Sequence, residues 1–252
     1  MIRRPDASAA VVLVCEHASP RMPKALGDLG LDAEALSSHI AWDPGALAVA
    51  DLLSDQLDAT LVAQAFSRLA YDCNRPPDSP FSVPAKSEIY DIPGNLRLGA
   101  DERAERADAI YHPFRSALAE VLGRRAAADG PPVLVTIHTF TPVYFGKPRE
   151  VEIGILHDSD RRFADAMLDS MAGDAGGFRI ERNQPYGPAD GVTHTLLEHA
   201  LPAGLLNVMI EIRNDLVSTE ADQAAMAGYL ARHIAAALSA LADVASHAER
   251  GS

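Results

Sequence analysis

The sequence predicts an α/β sandwich built on a largely parallel sheet, and three observations carry that prediction. Short apolar, β-branched runs alternate with stretches of helical periodicity along the whole chain. The 252 residues are 48% hydrophobic and 23% charged, the composition of a packed domain and too apolar for a disordered one. No internal repeat, low-complexity segment or linker divides the chain, so residues 1–252 are expected to form a single domain.

Taken in order, residues 10–15 (Ala-Val-Val-Leu-Val-Cys) read as a buried strand ending in the loop 16–20. A short helix is expected at 32–36. Residues 45–56 carry Leu47, Val49, Ala50, Leu52 and Leu53 at helical spacing, and 60–66 read as the next strand. Five prolines between 76 and 93, followed by Gly94, predict a long irregular excursion of the size that usually has a functional reason. Residues 101–128 form a long helical pattern with a kink or break at His112-Pro113. Further strands are expected at 131–137, 150–156, 177–181 and 207–213. Helices are expected at 159–172 and 193–200 around a turn-rich stretch at 184–192. A long amphipathic helix at 220–247 closes the chain, with fraying from Ala248.

Charge narrows the function. The chain has 22 Lys+Arg against 35 Asp+Glu, a net charge of −13, which argues against a nucleic-acid binder or a membrane-surface protein, since both need a basic face. No apolar run approaches the roughly 20 residues of a bilayer span, and no h-region marks a signal peptide. Two cysteines, Cys15 and Cys73, make no disulfide framework, so a reducing, cytoplasmic setting is expected. The expectation is a soluble, acidic protein that handles a small molecule.

The chemistry-bearing residues sit at strand ends: Glu16-His17, Asp72-Asn74-Arg75, His138 and Glu211-Arg213. In an open α/β sheet, ligands bind outside the carboxyl ends of the strands, so these clusters converge if their strands are neighbours. A lone histidine there is more often structural than a ligand. Two with acids nearby suit a catalytic zinc site of two imidazoles, one carboxylate and an open position for activated water. His17 and His138 supply the nitrogens. The carboxylate is Asp43, whose bland reading is a turn or N-cap aspartate, or as the fallback Glu16. The compact His-x-x-Glu pattern is absent, because Pro20 stands three residues after His17.

Glu211 lies in an otherwise apolar run, where a carboxylate is costly unless it is paired or functional. It is either an ion-pair partner of Arg213 or a general base whose pKa is raised by burial. Arg68, Asn74 and Arg75 suit a clamp on a substrate carboxylate, since an arginine fork matches that anion. Cys73 reads as packing. No nucleophile elbow, dinucleotide fingerprint or P-loop is present.

In order along the chain, Glu16-His17-Ala-Ser-Pro20, His39-Ile-Ala-Trp-Asp43-Pro-Gly45, Ser67-Arg68 with Asp72-Cys-Asn-Arg75, Ile137-His138-Thr-Phe-Thr-Pro142 and Ile210-Glu211-Ile-Arg213 resemble the N-formylglutamate amidohydrolase family. Tyr111-His-Pro-Phe114 and Asn183-Gln-Pro-Tyr186-Gly187 extend the likeness, which covers about residues 11–215. The family is similar in turn to zinc carboxypeptidases and aspartoacylases, from which this chain departs in lacking a glutamate close after His17. The resemblance implies a phosphorylase/hydrolase-like fold, a three-layer α/β/α sandwich with a mixed, largely parallel sheet. It also implies a zinc-dependent hydrolase cleaving N-formyl-L-glutamate or a related small anionic N-acyl amino acid, the step that would finish a histidine-degradation route. His17, Asp43 and His138 would hold Zn2+, and Glu211 would be the base. Arg68, Asn74 and Arg75 would grip the substrate, with Tyr186 and Arg213 as further wall residues. The rival readings are a zinc peptidase or amidase acting on a larger peptide or peptidoglycan-type substrate, and a non-catalytic anion-binding protein. A lid made by residues 76–93 would favour the small substrate.

Overall fold

Continuous apolar runs form the centre of the sheet because strands covered on both faces need no polar side. The computed structural model describes residues 1–174 and 176–250, with side chains described to 244 at the end of the chain. The principal elements are β1 (Ile2–Arg3), β2 (Val11–Cys15), α1 (Ala33–Ser37), α2 (Ala46–Leu57), β3 (Thr60–Ala63), α3 (Ala100–Arg106), α4 (His112–Asp129), β4 (Val133–Phe140), β5 (Ile153–Leu156), α5 (Arg162–Ala172), β6 (Ile180–Arg182), β7 (Asn207–Arg213) and α6 (Glu220–Arg250). The seven strands form one mixed sheet in the order β1-β3-β2-β4-β7-β5-β6. Neighbours run parallel except at β1·β3 and β7·β5.

Alternation along each strand separates two cores. Val11, Leu13, Cys15, Val135, Ile137, Val208, Ile210 and Ile212 pack under α2, α5 and α6. Val12, Val14, Leu134 and Met209 face the opposite layer, made by α4 and residues 196–205. Helices on both faces of the sheet make the three-layer sandwich. By length and composition, α6 is apolar enough over Glu220–Val244 to cross a membrane, although charged residues such as Asp222 and Arg232 interrupt it. Its Met226, Ala227, Leu230, Ile234 and Ala237 are buried in the core it shares with α2 and α5.

Several boundaries differ from expectation for local reasons. Strand β3 stops at Ala63 because the Gln64 side chain accepts the amides of Ala65 and Phe66 and turns the chain. Helix α5 begins at Arg162, after the Asp160 carboxylate has accepted the Arg162 amide. The strand expected at 177–181 lies at Ile180–Arg182. At Pro113 the helix does not break. The preceding turn, Ala107–Tyr111, widens into π geometry with the His112 amide bonded to the Ala107 carbonyl, and α3 and α4 run on through it. The proline-rich excursion carries a small hairpin, Lys86–Ser87 against Tyr90–Asp91. The tail expected to fray from Ala248 falls at the edge of the described residues; helix backbone continues to Arg250, and Gly251 and Ser252 lie outside them.

Candidate metal and active site

The site opens at the carboxyl ends of three adjacent parallel strands, β2, β4 and β7. Glu16 and His17 follow β2, while His138 and Glu211 are direct neighbours in the β4·β7 register. Register neighbours point to the same side of a sheet about 4.8 Å apart, so the base candidate stands beside a ligand candidate. Asp43 arrives from the loop before α2, its amide bonded to the His17 carbonyl at 2.9 Å. Gly45 makes that approach possible. Its φ is +86°, and a Cβ there would meet Val217 at 2.6 Å.

His17, Asp43 and His138 are all buried and form a group that could hold a metal ion. His17 Nδ1 and His138 Nδ1 lie 3.2 and 2.9 Å from Asp43 Oδ2, and 3.2 Å from each other. Atoms bound to a tetrahedral zinc at about 2.0–2.1 Å are separated by about 3.3 Å, so this triangle matches one face of such a site. The other ring nitrogens face carboxylates: His17 Nε2 is 2.7 Å from Asp72 Oδ1, and His138 Nε2 is 3.1 Å from Glu16 Oε2. A carboxylate behind each imidazole favours the Nε2–H tautomer and leaves the Nδ1 lone pair for a cation. Charge agrees. Glu16, Asp43 and Asp72 are buried around two imidazoles, with the guanidiniums of Arg68 and Arg75 nearby, so the carboxylates outnumber the fixed cations and a bound cation would offset the surplus. The donor set therefore fits a divalent metal. Glu16, the fallback ligand, stands behind His138 and outside the triangle.

The field of the site points the same way. Burial and then Arg68 lower the His17 pKa, yet Asp72 and Asp43 bring it above its ordinary value. Burial opposes the charged form of His138 too, and Glu16 and Asp43 still raise it well above normal. Against burial, the two histidines hold Asp43 below the carboxylate range. Glu211 behaves oppositely. Burial pushes it up to about 7, with His138 pulling it back and Asp43 adding to the rise. Its Oε2 is buried without a hydrogen-bond partner.

A cavity of about 330 Å³ collects His17, Asp43, Arg68, Asn74, Arg75, His138, Tyr186 and Glu211, with His39, Asp72, Ser87, Thr139, Tyr144, Asp190 and Val192. Eight of the nine site residues expected from sequence therefore share one wall; Arg213 is outside it. Its guanidinium is held by Asp215, Glu152 and the Arg149 carbonyl, so it is neither a wall residue nor the partner of Glu211. Other roles differ in detail. Asn74 donates to the Val192 carbonyl and accepts the Thr195 amide, and Arg75 donates to the carbonyls of Asp190 and Gly191. Both fasten the 190–195 loop while lining the cavity. Arg68 reaches Asp72 at 2.9 Å and Asp43 at 3.4 Å, which ties it to the metal candidates as well as to the cavity.

Tyr186 reaches the wall because Gly154, the register neighbour of Glu211, lets residue 184 cross close above β5. A Cβ on Gly154 would lie 1.9 Å from the Gln184 carbonyl oxygen. Sequence reasoning missed His39, Ser87 and Tyr144 as wall residues. Ser87 lies in the proline-rich excursion and His39 opens the motif that ends in Asp43-Pro-Gly45, while Tyr144 carried no signal.

A family model described as N-formylglutamate amidohydrolase matches residues 9–218. The chain belongs to the N-formylglutamate amidohydrolase family. Its fold is similar to that of a gene product of Agrobacterium tumefaciens, with 59% identity, a TM-score of 0.93, and coverage of 96% of this chain and 95% of the other. It is also similar to an N-formylglutamate amidohydrolase from Ralstonia eutropha JMP134, at 19% identity and a TM-score of 0.58 over 100% of this chain and 98% of that one. At that identity the likeness is one of fold. No curated protein matches the chain significantly. In this chain His17, Asp43, His138 and Glu211 line one cavity.

Proposed function

We propose that the chain is a zinc-dependent amidohydrolase that cleaves the amide of N-formyl-L-glutamate, or of a closely related N-acyl amino acid. The observation that carries this reading is Glu211, a buried carboxylate with one unpartnered oxygen, beside His138 and facing the cavity. A carboxyl group whose pKa is raised to about 7 can both take and return a proton near neutrality.

His17, Asp43 and His138 would hold the ion. Bound there, a divalent cation supplies Lewis acidity, polarising the amide carbonyl and making water a better nucleophile. Glu211 accepts the proton of the attacking water on its carboxylate and delivers it to the departing amide nitrogen. Asp72 and Glu16 keep the two imidazoles oriented throughout. Arg68 lies in the wall next to Asp43, where its charge favours an oxygen that becomes negative as the carbonyl is attacked. Arg75 and Tyr186 bound the far wall and orient the substrate carboxylates.

The cavity volume suits a molecule the size of an acylated amino acid, and Ser87 and Tyr144 in the wall favour that over a peptide lying in a shallow groove. A panel of N-formyl, N-acetyl and N-succinyl amino acids assayed with added zinc tests the reading. Selective release of formate and glutamate supports it, and turnover of none of the panel overturns it.

A further inference from the structure

Two small hairpins meet at the wall of the cavity, and one residue joins them. The first, Lys86–Ser87 with Tyr90–Asp91, has Glu88 at its turn; the second, Val143–Tyr144 with Lys147–Pro148, has Phe145 and Gly146 at its turn. Ser87 and Tyr144, one from each hairpin, line the cavity. Glu88 Oε2 lies 2.8 Å from His39 Nε2, another wall residue, and Glu88 Oε1 accepts the Phe145 amide at 2.9 Å. A single carboxylate thus holds three wall segments together.

The first hairpin is anchored unequally. Ile92 and Tyr90 pack into a satellite core with Leu29, Ile40, Leu69 and Trp42. Just beyond it, Asn95 donates to the carbonyls of Leu69 and Pro84 and accepts from Arg106. At the tip, Ile89 and Phe145 are exposed. Among the described residues, the hydrogen bonds that leave the first turn are both made by Glu88. Glu88 has φ +50° and Phe145 φ +48°, in the left-handed region that side-chain-bearing residues rarely adopt. Both are first positions of two-residue hairpin turns, where a positive φ matches the twist of the flanking strands.

We infer that Glu88 is a specificity-determining positioning residue. It latches the two hairpins and His39 into a closed rim, and that rim restricts the acyl group to a short one. The inference rests on the amidohydrolase reading of the cavity beneath it and adds what sets the size of the substrate. Glu88 touches no reacting atom and acts through the rim. Replacing it with alanine releases both hydrogen bonds, whereas glutamine keeps an acceptor for the Phe145 amide and a hydrogen-bonding group for His39.

The test compares wild type, Glu88→Ala and Glu88→Gln as full-length, zinc-loaded proteins. Turnover of N-formyl-L-glutamate and N-benzoyl-L-glutamate is measured alongside hydrogen exchange of the amides in 86–91 and 143–148. In Glu88→Ala the ratio of kcat/KM for the benzoyl over the formyl substrate should rise by about tenfold or more, the scale on which pocket size discriminates. Exchange should speed up in both hairpins, and glutamine should restore most of both effects. An unchanged ratio in Glu88→Ala, with wild type active, overturns the latch. If wild type hydrolyses neither substrate, the amidohydrolase reading fails instead. Exchange then decides the latch alone: faster exchange in alanine, recovered by glutamine, supports it, and equal exchange in all three proteins refutes it.

Discussion

Replacing Glu211 with glutamine keeps the shape of the wall and removes the group that moves the proton. General-base catalysis contributes about 10²–10⁴-fold, so kcat on N-formyl-L-glutamate should fall by that factor. Metal content should not change, because Glu211 lies outside the His17–Asp43–His138 triangle. The same change has a second signature, independent of turnover. Burial raises the folded-state pKa from the ordinary 4.5 to about 7. Folding therefore favours the protonated group, and this stabilisation, complete below the ordinary value, is lost as pH rises through about 7. At 1.36 kcal/mol per pKa unit, the difference is about 3 kcal/mol.

Urea unfolding of chelator-treated wild type and Glu211→Gln at about pH 5 and about pH 8 reads that difference. Chelation matters, since a bound cation would itself favour the ionised carboxylate. The variant should gain much more on wild type at the higher pH than at the lower. A variant that retains the wild-type rate would refute the base assignment. A stability difference that does not change with pH would refute the raised pKa.

Two further substitutions probe the scaffold of the site. Asp72→Asn weakens the carboxylate behind His17 without touching a ligand atom, and it should lower zinc affinity by about 10–100-fold in a chelator competition. Gly154→Ala drives a Cβ into the Gln184 carbonyl, and it should cost about 1–3 kcal/mol in urea unfolding while raising KM through the displaced Tyr186 segment.

Much of the fold was legible because its signal is local. Each central strand is a continuous apolar run, and its end is marked by a polar residue that the core would not otherwise tolerate, as at His138 and Glu211. His17 and His138 could be expected on the same ground, whereas Asp43, in the loop before α2, competed with Glu16 for the third place. What the sequence does not carry is direction. Glu16 and Asp72 were visible as acids, but only the register of β2 against β4 and the turn after β3 put them behind the two imidazoles. Arg213, a wall residue only by the resemblance, stays outside the cavity because at the strand end Glu152 and Asp215 draw its guanidinium away. The rim was illegible for another reason. His39, Glu88 and Phe145 are far apart in sequence, and only tertiary packing of two irregular segments brings them together.

The measurement that bears most directly on the site as a metal-dependent hydrolytic centre is metal stoichiometry read against turnover of N-formyl-L-glutamate in the same samples. The structure leads to about one divalent ion per chain, activity that disappears on chelation and returns with zinc, and little bound metal in His138→Ala. Full turnover by the metal-free protein would contradict it.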